Sequence, residues 1–219
     1  MTQHTAILQS AQSSQSVSHK VLRNTYALLS LTVLFSAGVA MFSMVNNVAH
    51  PGLLVTLAGY FGLLFLTVKT RNSGWGLVSV FALTGFMGYT LGPLLGSYWA
   101  GAPAVVGQAL LATGAIFAGL SAYVLTTRKN FSFLGSSLFV GILVAFLAGI
   151  GALLFDIPAL SLAVSALFVL LMSGLILYET SNILHGGETN YIMATVSLYV
   201  AIFNLFTSLL QLLGFMQSE

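Results

Sequence analysis

The most informative ionisable residue in the chain is Glu179, in Leu175-Ile176-Leu177-Tyr178-Glu179-Thr180, at the end of a long uncharged run. If that run stays helical to Leu184, the carboxyl lies about 7 Å inside one end, at roughly 1.5 Å per residue. An ionisable group at that depth of a membrane helix is costly and marks a functional candidate. Two readings are open. Glu179 is a partly solvated interfacial residue paired with Lys69 or Arg71, or it titrates inside the molecule. Glu188 falls in a Gly-rich loop, where solvation or a helix N-terminus accounts for it. Asp156 reads as an ordinary loop residue. His4, His19, His50 and His185 are scattered without metal-ligand spacing. With no Cys, neither a thiolate metal site nor a disulfide is available. No H-E-x-x-H, nucleophile elbow or phosphate loop occurs, so nothing argues for an enzyme or a bound cofactor.

Two further patterns carry polar or packing chemistry. Ser197, Asn204, Ser208 and Gln211 recur at spacings of seven, four and three, with Ala201 at the missing step. They share one helical face. Polar groups surrounded by hydrocarbon must be paired, so this face is expected to look inward and its helix to be central. Interhelical hydrogen bonding explains the stripe; a wet pathway is the sharper reading. Gly88, Gly92 and Gly96 recur every four residues and make a smooth face for a neighbouring helix. Pro93 lies in that face and is expected to kink or end its helix.

The elements that hold these residues follow from composition. The chain has 219 residues, 58% hydrophobic and 5% charged. A water-soluble domain needs far more charge, so the solvent around the core must be lipid. The net charge of +2 is too small to argue for nucleic acid. Residues 1–24 are rich in Gln, Ser and Thr and are expected to form a flexible tail. Apolar runs near 25–45, 52–68, 75–96, 103–126, 131–154, 157–178 and 190–213 follow. A hydrocarbon core takes about 20 helical residues, so the expected fold is an all-α seven-helix transmembrane bundle occupying 25–219. Turn formers or charges separate the runs, as in His50-Pro51-Gly52 and Thr127-Arg128-Lys129-Asn130.

Charge sets the expected orientation. Lys20 and Arg23 precede the first span, Lys69 and Arg71 follow the second, and Arg128 and Lys129 follow the fourth. All six basic residues fall on one side, which puts that side and the N-terminus in the cytoplasm. Seven spans then leave Glu219 outside, unless the last run is re-entrant.

Several stretches resemble a known family. Gly85-Phe86-Met87-Gly88-Tyr89-Thr90-Leu91-Gly92-Pro93-Leu94 and Ala112-Thr113-Gly114-Ala115-Ile116-Phe117 resemble the signature of the Bax inhibitor (TMBIM) family. A bacterial inner-membrane branch is closer still. That likeness runs through His19-Lys20-Val21-Leu22-Arg23-Asn24-Thr25-Tyr26 and Ala122-Tyr123-Val124-Leu125-Thr126-Thr127-Arg128-Lys129. It continues from Glu179-Thr180-Ser181-Asn182-Ile183-Leu184-His185 to Gly186-Gly187-Glu188-Thr189-Asn190-Tyr191. The resemblance implies seven helices with the last near the centre. It also implies two functions. Members of the bacterial branch bind and modulate an FtsH-type membrane protease, occupying it as slow substrates. Other bacterial members are pH-regulated calcium leak channels gated by two close carboxylates. The first of those positions corresponds to Glu179 and the second to Ala201, so the shared-proton latch of those relatives cannot form here as it does there. Glu179, with Asn204 beside the missing position, remains the candidate pH-sensing group, and calcium or protons the candidate ligands.

Overall fold

The computed structural model describes the backbone of residues 2–217 and side chains from residue 17 onward. His4 and Glu219 lie outside the described side chains. The described residues form seven helices: α1 (Thr2–Val45), α2 (Leu53–Thr70), α3 (Trp75–Gly101), α4 (Pro103–Thr127), α5 (Gly135–Leu154), α6 (Pro158–Leu184) and α7 (Tyr191–Gln217). A short 3₁₀ turn, Ser132–Leu134, leads into α5. Each helix contains a stretch long and apolar enough to cross a membrane; in α1 it is Val17–Val45. The chain is an all-α polytopic membrane protein.

The ends of the helices follow from local chemistry. α4 and α6 open on Pro103 and Pro158, which need no N–H bond in the first turn. Asn190 caps α7: its Oδ1 accepts the backbone N–H groups of Ile192 and Met193 at 3.0 and 3.1 Å. Glu188 supports the cap by accepting the Asn190 N–H at 2.7 Å. Gly52 and Gly186 turn the chain with φ of 87° and 77°, which favours residues without a Cβ.

α1 is longer than its apolar run. Its backbone is helical from Thr2, across residues whose composition suggests an irregular tail. No Gly or Pro occurs before Gly38, and extending an existing helix costs far less than starting one. Among the described side chains, the first buried ones are Ser18 and Val21, each 8% exposed.

α7 packs against α1, α3, α4 and α6, and is the central helix. The main core joins Leu28 and Leu29 of α1, Val80 and Leu83 of α3, Ile183 of α6, and Ile192 and Leu198 of α7. α2 packs chiefly on α3, and α5 on α6, so these two sit at the periphery.

α3 runs through Pro93 to Gly101 rather than stopping there. Proline has no N–H to give the carbonyl four residues back, which leaves the Tyr89 oxygen free. The Ser43 hydroxyl of α1 donates to that oxygen at 2.9 Å. Gly92 allows the approach, because a Cβ there would overlap the Ser43 side chain. Gly88 plays the same part against the Ser36 backbone, while Gly96 meets only Met44 at ordinary contact distance. The lost helical bond and the small residues are thus one device: the proline frees an acceptor, and the glycines admit the donor.

The six basic residues belong to one end of the bundle, and hydrogen bonds tie the loops there together. Asn190 Nδ2 donates to the Arg71 carbonyl at 3.1 Å and to Asn72 Oδ1 at 2.8 Å, joining the α2–α3 loop to α7. The Phe131 N–H donates to Ser181 Oγ at 2.9 Å, and His185 Nε2 lies 3.2 Å from the Arg128 carbonyl. These join the α4–α5 loop to the end of α6.

Candidate functional site

Glu179 lies on α6 five residues before its end at Leu184, about 7 Å deep at roughly 1.5 Å per residue. It is only 9% exposed. Its carboxyl group faces the Ser197 hydroxyl of α7. The pairing with Lys69 or Arg71 expected for an interfacial carboxylate is absent. Among the described residues the charge felt at Glu179 is another acid, Glu188. The reason is topological: Lys69 ends α2, and α2 packs on α3 rather than on α6. Glu179 instead turns inward along the α6–α7 seam.

The residues around it form a polar layer that joins α1, α6 and α7. Tyr26 of α1 shares a 3.2 Å hydrogen bond with Thr180. Thr195 Oγ1 of α7 donates to its own Tyr191 carbonyl at 2.7 Å and reaches the Thr25 carbonyl at 3.3 Å. The hydroxyls of Thr25 and, on α4, Ser121 are buried with no partner among the described residues. One helical turn deeper the character changes. Ala201 is fully buried in an apolar cluster with Met172, Ile176 and Leu205. Ala201, the position expected from the resemblance to match a second acid, is thus surrounded by hydrocarbon.

The α7 stripe divides among partners. Ser197 serves Glu179. Asn204 Nδ2 donates to its own Val200 carbonyl at 2.8 Å. Ser208 is buried. Gln211 bridges to α6: its Oε1 accepts from Ser165 and its Nε2 donates to Ser161, both at 2.6 Å. The structure thus brings Glu179 and Ser197 together, keeps Asn204 on its own helix, and places Gln211 near the opposite end of the α6–α7 seam. Gly88, Gly92 and Gly96 face α1, Pro93 lines a cleft with residues of α2 and α7, and none of the four takes part in this layer. Among the described residues no group of three His, Cys, Asp or Glu converges as metal ligands would.

Sequence reasoning missed Tyr199. Its hydroxyl donates to the Thr84 carbonyl of α3 at 3.2 Å and meets Ser36 Oγ of α1 at 2.5 Å, fastening three helices in the core. A signal was present in α1, where Thr25, Thr32, Ser36 and Ser43 recur at spacings of seven, four and seven. All four are buried.

Similar proteins match nearly the whole length of the chain. The Modulator of FtsH protease YccA from Escherichia coli K12 is 57% identical over 198 residues, covering 90% of each chain. The Inner membrane protein YccA of E. coli O6:H1 matches to the same extent. An uncharacterized protein of Pseudomonas aeruginosa is 56% identical over 210 residues, 94% of each chain. The two named relatives are described as a modulator and as a membrane protein rather than as enzymes. The family model described as Inhibitor of apoptosis-promoting Bax1 matches residues 18–218, from α1 through α7, and the chain belongs to that Bax inhibitor family.

Proposed function

We propose that this protein resides in a bacterial inner membrane and modulates an FtsH-type membrane protease, occupying it as a slow substrate. The observation that carries this reading is the 57% identity to the E. coli modulator across 90% of both chains. Two features of the chain support the slow-substrate part. Residues 2–16 are the N-terminal part of α1, ahead of the stretch apolar enough to cross a membrane, and in this reading they are the cytoplasmic handle that the protease grips. Behind the handle stands a bundle whose helices are cross-bonded by Ser43, Tyr199 and Gln211. A protease that pulls on the handle must break those buried bonds before the helices separate. The basic end of the bundle faces the cytoplasm.

The test is degradation by a purified FtsH-type protease in proteoliposomes with ATP. The full chain is expected to be lost slowly, and a chain lacking residues 2–16 to stay folded and persist. Equal turnover of the two overturns the handle.

A second reading, a pH-sensitive calcium or cation leak, is favoured by one observation: a buried carboxylate with no basic partner among the described residues. Glu179 is the titrating group in that reading. The apolar packing around Ala201 weighs against it. Calcium efflux from liposomes that varies with pH and loses that dependence in Glu179→Gln supports the leak. Flux no greater than from empty liposomes, with folded protein present, contradicts it.

A further inference from the structure

Away from the basic loops the bundle holds a cleft of about 430 Å³, formed by the α1–α2 loop, α2, α3 and α7. This is within the roughly 300–1,000 Å³ of small-molecule sites. Its walls include Thr56, Thr90, Leu94, Phe203 and Thr207. The threonines make it less polar than their names imply. Each hydroxyl donates into its own helix: Thr56 to the Gly52 carbonyl at 2.8 Å, Thr90 to Met87 at 2.8 Å, Thr207 to Phe203 at 3.1 Å. What remains for a guest is largely methyl and ring surface. A buried water needs two to four polar partners, and these walls offer few. Since the walls belong to membrane-spanning helices, the apolar guest at hand is a lipid chain.

The mouth supplies the polar half of the match. His50, exposed in the α1–α2 loop, lines the cleft, and among the described residues no other charged or titratable side chain does. Its Nδ1 accepts the Gly52 N–H at 3.0 Å. A neutral ring so engaged carries its proton on Nε2, which makes that atom a donor. No carboxylate stands among those lining residues to repel an anion, so an anionic acceptor can take this donor.

We propose that this cleft is a phospholipid site, with one acyl chain lying along Leu94 and Phe203 and the phosphate accepting a hydrogen bond from His50 Nε2. The proposal is independent of the protease reading and of Glu179, which lies toward the other end of the bundle, near the basic loops.

The experiment is native mass spectrometry of the full chain released from detergent with phosphatidylglycerol as the probe. Wild type is expected to retain one lipid. Leu94→Trp, which fills the cleft from a position already 38% exposed, is expected to lose it. Thr207→Phe provides a second filling variant should the first fail to fold. His50→Ala is expected to weaken retention about tenfold, the loss of one hydrogen bond to a charged group. Leu111→Trp, on a lipid-facing surface of α4 at 77% exposure, is expected to behave as wild type. Undiminished retention in a folded cleft-filling variant, or in His50→Ala, overturns the proposal.

Discussion

At the scale of single residues, the sequence shows which side chains are unusual but not what they touch. Glu179 stands out by its depth alone. Its partner, Ser197, lies in the α7 stripe, yet nothing in the spacing says that the two meet; that depends on how α6 and α7 are rotated about their seam. Pro93 is equally legible as a break in the helical ladder, while its compensation by Ser43 is not, because the donor comes from a different helix, far back in the chain. The pair makes a sharp prediction. Ser43→Ala leaves the Tyr89 carbonyl buried without a donor and is expected to cost about 1–3 kcal/mol. In a Pro93→Ala background, where the substituted residue regains a backbone N–H for that carbonyl, the same change is expected to cost clearly less. Unfolding equilibria of the four proteins in one detergent give the coupling, and equal costs in both backgrounds refute the compensation.

At the scale of elements, the apolar runs mark all seven helices, and the turn residues mark their breaks. The boundaries moved where physics outside the apolar pattern intervened. α3 continues past Pro93 because α1 repairs its backbone. α6 continues past Tyr178 to Leu184 because Ser181 and His185 bind the neighbouring loop. α1 begins far ahead of its apolar stretch because nothing in residues 2–37 breaks a helix. The glycine face of α3 likewise separates into positions with different weight. Gly88→Ala and Gly92→Ala place a Cβ against α1 and are expected to destabilise by about 1–3 kcal/mol through overpacking. Gly96→Ala has room and is expected to be neutral, or to stabilise by up to about 1 kcal/mol through helix propensity. Thermal unfolding of the three variants checks this order; a loss at Gly96 equal to that at Gly92 contradicts it.

At the scale of the whole molecule, lipid-facing exposure and a polar, cross-bonded interior make one bundle around α7, with its basic loops gathered at one end. That gathering was legible from six charges, whereas the hydrogen bonds that lock the loops were not. Because the chain has no cysteine, orientation can be mapped with single substitutions on a clean background. Asn72→Cys and Asn130→Cys are expected to be labelled only by reagents that reach the cytoplasm, and Asn47→Cys and Asp156→Cys from outside. The reverse pattern would invert the bundle. The central claim concerns what the assembled molecule does to a protease. Its most direct measurement is degradation of a membrane reporter by a purified FtsH-type protease, co-reconstituted with this protein at increasing ratios. The account predicts that reporter degradation slows as the ratio rises, while the protein itself disappears slowly, and that the chain lacking residues 2–16 slows it much less. Reporter degradation unchanged by an excess of folded protein would contradict it.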